Sequence, residues 1–434
     1  MEWYYASILL AGGLIIALLS NIPIAFSFGI LNLIAAYFIF GSFDALSFLV
    51  QAAFSSAANI HLAAIPFFLL MGTLFVRTGL SGVVLDAVDR ILSGIPASGC
   101  YVVIGSGALY GALMGASVAS TAVMGATLLP ELKRRGYNNA LAIGPILGSG
   151  TLSNLIPPSI GAVLIGSLAG IPIGDLLLAG LLPATLIIFL FCVYIYFKAR
   201  SFRRAEELSE RASMRVRLGG ILMLLPLVVP VFCVTGVIYL GVATPTEASA
   251  CGALATFVVA VFYRKVNWEK LKASVIDAVE VSAMILLIVA SAKAYSQILA
   301  ITGISSGISE TLTAVAPSGV VAVIIILAVV LLLGCFMDQA SVIFVTIPLV
   351  IQTIFALDVD PVWFGVLFSM VVGIGGITPP FGLNLFVLKA VAPPDVRLSE
   401  IYRICIPYIA IELVIVGILL LFPDLIPAFL ATAS

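Results

Sequence analysis

Two stretches of this chain set hydroxyls, an amide and glycines against a double proline. The first runs Ser149-Gly150-Thr151-Leu152-Ser153-Asn154-Leu155-Ile156-Pro157-Pro158-Ser159. The second runs Gly375-Gly376-Ile377-Thr378-Pro379-Pro380-Phe381-Gly382-Leu383-Asn384. A polar cluster precedes each, Gly115-Ala116-Ser117-Val118-Ala119-Ser120-Thr121 and Gly334-Cys335-Phe336-Met337-Asp338-Gln339-Ala340-Ser341. Hydroxyls and carbonyls freed at a helix C-terminal end suit a hard cation such as Na⁺. Helix N-terminal ends favour a carboxylate or another anion. The same four clusters could therefore hold a cation beside an anion. They bring little cationic charge of their own, so an anion there would depend on dipoles, hydroxyls and neighbouring cations.

The elements that must carry these clusters lie in a bilayer. The chain has 434 residues, 62% of them hydrophobic and only 9% charged, against about 25% charged in a soluble domain. Apolar runs at residues 3–19, 22–40, 176–197, 218–240, 275–292, 319–336 and 404–423 approach or reach a span of ~20 residues. Counting less regular stretches, roughly ten to thirteen crossing or re-entrant helical segments are expected. No ten-residue alternation of the kind a membrane β-barrel needs is visible, so the fold is helical. Proline removes a backbone donor and clashes with the preceding turn, so neither double-proline stretch continues as a helix. Irregular backbone at membrane depth is tolerated only where protein buries it or where it lines a polar cavity. Two such breaks at corresponding places point to a transporter's binding site. A substrate is expected between them, with Ser153, Asn154, Pro158 and Ser159 from the first and Pro380 and Asn384 from the second as its candidate ligands.

Charge excludes several other functions. The net charge of −1 indicates no nucleic-acid partner. The cysteines at 100, 192, 233, 251, 335 and 405 lie in apolar surroundings without CxxC pairing, as small packed hydrophobes do. His61 is the sole histidine, so a multi-histidine metal site is excluded. The chain has no HExxH motif, which makes an intramembrane enzyme remote. No small-residue cleavage site follows the first apolar segment, which is expected to stay as a helix.

Basic residues set the expected path. Lys198 to Arg217 is the longest polar segment, with seven basic residues, and the positive-inside rule makes it cytoplasmic. Lys133-Arg134-Arg135, the set Arg264, Lys265, Lys270 and Lys272, and the set Lys389, Arg397 and Arg403 should face the same side. The acidic loop Asp358-Val359-Asp360 then lies outside. Under this path residues 97–130 dip in from the cytoplasm and 318–350 from the opposite side, each followed by a broken helix. Ser120 precedes Pro157 by 37 residues and Ser341 precedes Pro379 by 38, which supports an inverted repeat. The expected division is an N-terminal scaffold (1–76), a first repeat (77–197, hairpin about 97–130, broken helix about 138–165) and a basic linker (198–217). Further scaffold helices (218–300) and a second repeat (301–434, hairpin about 318–350, broken helix about 361–392) complete it.

Other polar residues allow two readings. Asp338 is an acid at a membrane-embedded tip, where charge is usually functional, yet it could equally cap a helix. Glu247, three residues after Thr244 with Pro245 between them, reads as the partner in a capping box. His61 and Lys293 read as packing or interface residues. The serines after Gly115 could be mere helix-packing residues.

Taken together the motifs resemble those of a known family, the large membrane subunit of tripartite ATP-independent periplasmic (TRAP) transporters. The resemblance runs through Ile65-Pro66-Phe67-Phe68, Ser120-Thr121-Ala122, Leu129-Pro130-Glu131-Leu132-Lys133 and Ile156-Pro157-Pro158-Ser159-Ile160. In the second half it runs through Thr244-Pro245-Thr246-Glu247-Ala248, the Asp338 tip, Asp360-Pro361 and Thr378-Pro379-Pro380 to Asn384-Leu385-Phe386. It implies sodium-driven uptake of a small organic anion, with a soluble periplasmic substrate-binding protein and a separate small membrane subunit of about four helices as partners. It also implies an elevator mechanism in the bacterial inner membrane, Na⁺ as the coupling ion and no organic cofactor. Mapped onto this chain, the family's cation sites fall at Ser117, Ser120, Ser149, Gly150 and Thr151, and at Gly334, Asp338, Gly376 and Thr378. Many relatives carry Asn seven residues before the Thr-Pro-Pro, where this chain has Val371, so a side-chain ligand from that position is in question.

The expected fold is an all-α polytopic membrane protein of inverted-topology repeats, each with a re-entrant hairpin and a broken transmembrane helix, as in elevator-type ion transporters. Its C-terminus is expected in the periplasm. The rival is a self-sufficient sodium-coupled organic-anion carrier of the same superfamily, which would need no binding protein.

Overall fold

Prolines and glycines decide where the helices of this chain stop, and the apolar faces between those stops decide the packing. The computed structural model describes residues 24–40, 54–56, 58–92, 97–114, 117–200, 214–394 and 396–433, with positions 10, 12–14, 16–17 and 50–51. Most of the first apolar segment, the tip residues Gly115 and Ala116, and 201–213 of the basic segment lie outside the described residues. Among the described residues there is no strand.

The chain passes through α1 (Ile24–Phe40), α2 (Ala64–Arg77) and α3 (Leu80–Leu92). A helical hairpin follows, α4 (Ser98–Met114) and α5 (Ser117–Arg134). Next comes a helix interrupted at the first double proline, α6 (Asn139–Thr151) and α7 (Ile160–Ala169), then α8 (Ile173–Ala179) and α9 (Leu181–Arg200). Residues 218–240, expected as one span, are divided among α10 (Met214–Leu222), α11 (Leu225–Val231), a π turn at Phe232–Gly236 and α12 (Val237–Tyr239). Pro226 and Pro230 fall in this stretch, and each removes a donor from the ladder. Then come α13 (Pro245–Phe262), α14 (Trp268–Ile301) and α15 (Ile304–Val315). A second hairpin, α16 (Gly319–Gly334) and α17 (Gln339–Ala356), leads to a second interrupted helix, α18 (Pro361–Gly376) and α19 (Leu383–Val391). Helices α20 (Leu398–Leu421) and α21 (Leu425–Ala433) end the chain.

Six helical stretches among the described residues are long and apolar enough to cross a membrane, or seven with the bent pair α15 and α16, which turns by 119°. The ten to thirteen segments expected included re-entrant and broken pieces as well as full spans, and several further apolar helices, α7 and α18 among them, are only 10–17 residues long. A piece that short does not reach across ~30 Å of hydrocarbon. It is tolerated where other helices enclose it.

One layer is built by α1, α2, α13 and α14, with α2 against both α13 and α14 and α1 against α14. Polar stitches fix it: Asn32 Nδ2 donates to the Ser291 carbonyl at 2.7 Å, and Thr73 Oγ1 to that of Ser274 at 3.0 Å. Arg77 pairs with Asp277 at 2.7 Å. Thr244, Pro245 and Glu247 form the expected capping box at the start of α13, with Thr244 N donating to Glu247 Oε2 at 2.8 Å.

The hairpins and interrupted helices exchange partners reciprocally. Both arms of the first hairpin pack on α6, and both arms of the second pack on α18. The returning arm α5 packs on α19, from the other unit, while α17 packs on α7. Between them α6 and α18 are enclosed on every side: each residue from Leu141 to Thr151 and from Val362 to Gly376 is buried. A helix apolar all round belongs in such a core. Val371 is one of these buried residues.

Candidate functional site

The first break is shaped by its own hydroxyls. Helix α6 tightens into a 3-10 turn at Leu152–Asn154, and the chain then passes the cis Pro157-Pro158 bond. Ser159 restarts the helix: its Oγ accepts from Ala162 N at 3.2 Å and donates to the Asn154 carbonyl at 2.8 Å. Ser153 Oγ donates to the Gly150 carbonyl at 2.8 Å, and Ser149 Oγ to that of Ile146 at 3.3 Å. Thr151 Oγ1 lies 2.7 Å from the Gly148 carbonyl and 2.5 Å from Glu412 Oε1 on α20.

The second break follows the same plan with more solvent. Thr378 Oγ1 donates to the Ile374 carbonyl at 2.6 Å, the Pro379-Pro380 bond is also cis, and Gly382 N donates to the Thr378 carbonyl at 3.1 Å. Pro158 is buried, whereas Pro380 and Phe381 are exposed. The Pro380 carbonyl accepts from Tyr402 OH at 2.5 Å, and the Phe381 ring meets Phe336 of the second hairpin tip at 5.3 Å.

Backbone approaches bring tips and breaks together. A Cβ on Gly375 would stand 2.7 Å from the Gly334 Cα, so the second tip and the end of α18 touch main chain to main chain, as small residues permit between membrane helices. A Cβ on Gly150 would stand 2.3 Å from Thr121 Oγ1 and 3.6 Å from the Ser117 carbonyl oxygen. The buried hydroxyls of Ser120 and Thr121 have no hydrogen-bond partner.

The two units converge at Ser117. Its Oγ accepts from Gln339 Nε2 at 2.7 Å and from Asn384 Nδ2 at 3.1 Å. Gly376 borders the same amides, since a Cβ there would lie 3.5 Å from Asn384 Nδ2 and 3.8 Å from Gln339 Nε2. Ser117, Gln339, Asn384 and Gly376 thus form one centre, with Gly150 and Thr121 on one side and Gly334 on the other. Asn154 also crosses between units: its Nδ2, without a partner, lies 2.8 Å from where a Gly373 Cβ would stand.

Other residues face locally. Asp338 is the N-cap of α17, and its carboxylate accepts from Ser341 N at 3.1 Å and from the Ser341 hydroxyl. Ser153 and Ser159 spend their hydroxyls on the first break itself. At the far end of the first hairpin, Arg134 and Arg135 hold the Glu131 carboxyl down to about 2 through hydrogen bonds, and Arg135 also pairs with Asp89 of α3 at 2.9 Å. Among the described residues no cluster of three His, Cys, Asp or Glu side chains could hold a metal ion. The oxygens gathered at the tips and breaks are hydroxyls and carbonyls, with the Asp338 carboxylate on the second tip, a hard-donor set.

The motif reading did not single out Gln339, Thr121 or Glu412. Gln339 and Thr121 sit inside the polar tip sequences beside serines, and nothing in their spacing sets them apart. Glu412 had a plain signal, an acid well inside the 24-residue apolar helix α20, where charge is costly.

Residues 11–425 match the family model described as "Tripartite ATP-independent periplasmic transporter, DctM component". The C4-dicarboxylate TRAP transporter large permease protein DctM of Pseudomonas aeruginosa is 30% identical over 88% of this chain and 88% of its own length. The ectoine TRAP transporter large permease protein TeaC of Halomonas elongata is 29% identical over 94% of this chain and 95% of its own. The isethionate TRAP transporter permease protein DctMQ of Oleidesulfovibrio alaskensis is 28% identical over 95% of this chain, which spans 64% of that longer protein. In fold, the YdaH transporter of Alcanivorax borkumensis superposes with a TM-score of 0.64 at 14% identity, covering 87% of this chain and 88% of its own.

Proposed function

Because the chain belongs to the DctM family of tripartite ATP-independent periplasmic transporters, as a large permease subunit, we propose that it imports a small organic acid in symport with Na⁺. The observation that carries this reading is the junction at Ser117, where Gln339 Nε2 and Asn384 Nδ2 converge on one hydroxyl. Two amides, a serine and the N-terminal ends of α5 and α17 give an anion donors without a full positive charge. Beside that centre the unpartnered Ser120 and Thr121 hydroxyls and the Gly150 backbone offer hard oxygen ligands for a cation. Thr378, Gly376 and Gly334 supply the corresponding place in the second unit, with Asp338 four residues beyond Gly334 on the same tip. The cation then adds the positive charge that the anion site lacks.

Relatives are named for C4-dicarboxylates, ectoine, isethionate and 2,3-diketo-L-gulonate, so the family scaffold serves several small solutes. For this chain we assign the class, a small organic acid delivered by a periplasmic binding protein, with a small membrane subunit as second partner. Helices α4 to α7 and α16 to α19 would move as the elevator against the layer of α1, α2, α13 and α14. The C-terminus would lie in the periplasm of a bacterial inner-membrane protein.

The test is uptake of a panel of radiolabelled organic acids by proteoliposomes holding this chain and its small subunit, with binding protein outside. Uptake that needs a sodium gradient and the binding protein is expected. Uptake indifferent to sodium would overturn the coupling, and full uptake without binding protein would favour a self-sufficient carrier.

A further inference from the structure

Two exposed aromatic rings stand beside the Ser117 junction. Phe336 precedes Gln339 by three residues, and Phe381 precedes Asn384 by three. Gln339 and Asn384 are the two amides that converge on the Ser117 hydroxyl. The rings meet each other with centroids 5.3 Å apart and planes tilted by 38°, and each residue is 54% exposed. They pack as a pair and leave their outer sides open.

The surface they open onto is not lipid. Phe336 lies in the turn between α16 and α17, two residues before the half-buried Asp338, and Phe381 lies in the irregular backbone after Pro379-Pro380. Backbone of that kind, with an acid beside it, is not presented to hydrocarbon; it borders protein or a water-filled space. Both rings are also held from behind. Phe336 N donates to the Leu333 carbonyl at 2.9 Å and Met337 N to the same oxygen at 3.0 Å, while Gly334 lies against the Gly375 main chain. On the other side Tyr402 OH donates to the Pro380 carbonyl at 2.5 Å, and Gly382 N to that of Thr378 at 3.1 Å. Two fixed rings facing water are unfavourable on their own. Apolar surface beside a few converging polar groups is the make-up of a small-molecule site.

We propose that Phe336 and Phe381 form the apolar wall of the solute site, so that the acid carried bears its anionic group on a hydrocarbon or aromatic skeleton and not on a polyhydroxylated chain. Each amide nitrogen has a second hydrogen beyond the one given to Ser117, and those hydrogens take the anionic group. The skeleton then lies on the paired rings, which stand three residues before each amide. A sugar-acid chain laid on the same wall would lose water from several hydroxyls and find no partner for them there. The wall deepens the proposed uptake of a small organic acid and rests on that reading.

The test is ligand binding by the purified chain with its small subunit, in sodium and without binding protein, read as stabilisation against heat. The probes are hexanoate and gluconate, which share a chain length and a carboxylate and differ in hydroxylation. In wild type, half-maximal stabilisation is expected at a hexanoate concentration at least about tenfold below that for gluconate. Equal concentrations, or a preference for gluconate, overturn the proposal. Phe336→Ala and Phe381→Ala should each cut the preference about fourfold, the worth of one methylene withdrawn from apolar contact. The preference is a ratio taken within one preparation, so it does not depend on how much of a variant folds. Phe336→Leu and Phe381→Leu keep an apolar side chain and should retain most of it. Ala variants with the wild-type ratio overturn the wall, and so do Leu variants that lose the preference as fully as Ala. Sodium-dependent stabilisation by gluconate alone would sink the wall and leave organic-acid uptake standing. Sodium-dependent stabilisation by no acid of a wider panel would remove the uptake function and the wall with it.

Discussion

Gln339 donates through Nε2 to Ser117 Oγ at 2.7 Å, and each of these residues is the first of its hairpin's returning helix. The two hairpins are therefore joined side chain to side chain at equivalent points of their tips. Asn384, from the start of α19, donates to the same oxygen. Ser117 Oγ in turn has Asn384 Oδ1 as the acceptor of its own hydrogen at 3.5 Å, so the hydroxyl meets both the donor and the acceptor end of that amide.

If this junction holds the substrate, Ser117→Ala and Gln339→Ala should each raise the apparent Michaelis constant for uptake by about threefold to tenfold, a hydrogen bond of ~0.5–1.5 kcal/mol. The double variant should be less impaired than the product of the singles, because the second change removes a partner already lost. Fully multiplicative effects in the uptake assay would show that the two residues act apart.

The cation reading places Ser149 just before the end of α6 and Thr378 just after the end of α18. Thr378→Val removes the hydroxyl that sits 2.6 Å from the Ile374 carbonyl, and Ser149→Ala removes one buried against α4 and α5. Each should weaken sodium-dependent uptake by roughly tenfold with the amount of inserted protein unchanged. Sodium titrations of uptake, with immunoblots of membrane fractions, check both halves of that statement.

Asp338 can be separated into cap and charge. Asn caps a helix about as well as Asp, whereas Ala costs ~1 kcal/mol. Asp338→Asn should therefore keep the melting temperature and lower sodium-driven uptake, while Asp338→Ala lowers both. Thermal unfolding in detergent and uptake measured side by side decide it; wild-type kinetics in Asp338→Asn would leave the residue its hold on Ser341 and nothing more.

Much of this arrangement is legible without coordinates, and for a physical reason. Double prolines must break a helix, and glycine-rich ends beside them must lie against something, so the positions of α6, α7, α18 and α19 follow from local chemistry. The capping box at Thr244 and Glu247 is equally local. What sequence does not carry is which unit a residue reaches across to. Gln339 and Ser117 are 222 positions apart, and Thr151 and Glu412 are 261 apart; neither pairing is written in any spacing. Residues 218–240 went the other way: their apolar run reads as one span, but Pro226 and Pro230 divide it. There the hydrophobic pattern outweighed a local signal that was already in view.

The contact between Gly334 and Gly375 gives a stability prediction. A Cβ on Gly375 would meet the Gly334 Cα at 2.7 Å and its carbonyl carbon at 2.9 Å, atoms that cannot rotate away. Gly375→Ala should cost about 1–3 kcal/mol, as overpacking does. Gly417→Ala is the control, because nothing lies within 4 Å of its added methyl and alanine favours a helix interior. Melting temperatures of the two variants should move in opposite directions; equal shifts would mean that the tip and the end of α18 part easily.

The direction of each broken helix across the membrane can be tested by labelling. Residue 360 is the exposed N-cap of α18, and its carboxylate accepts from Trp363 N at 2.6 Å. Residue 135 follows α5, in the basic turn that pairs with Asp89 and Glu131. If the second unit runs opposite to the first, these ends lie on different sides of the bilayer, with the basic turn inside. In a chain whose own cysteines are replaced, Asp360→Cys should react with a membrane-impermeant maleimide added to intact cells. Arg135→Cys should react only after the membrane is opened. Losing the Asp360 cap costs ~1 kcal/mol, too little to unfold the protein and confuse the readout. Both positions reacting from one side would mean that the two units enter the membrane in the same sense, and the pairing of Ser117 with Gln339 would then join repeats that are not inverted.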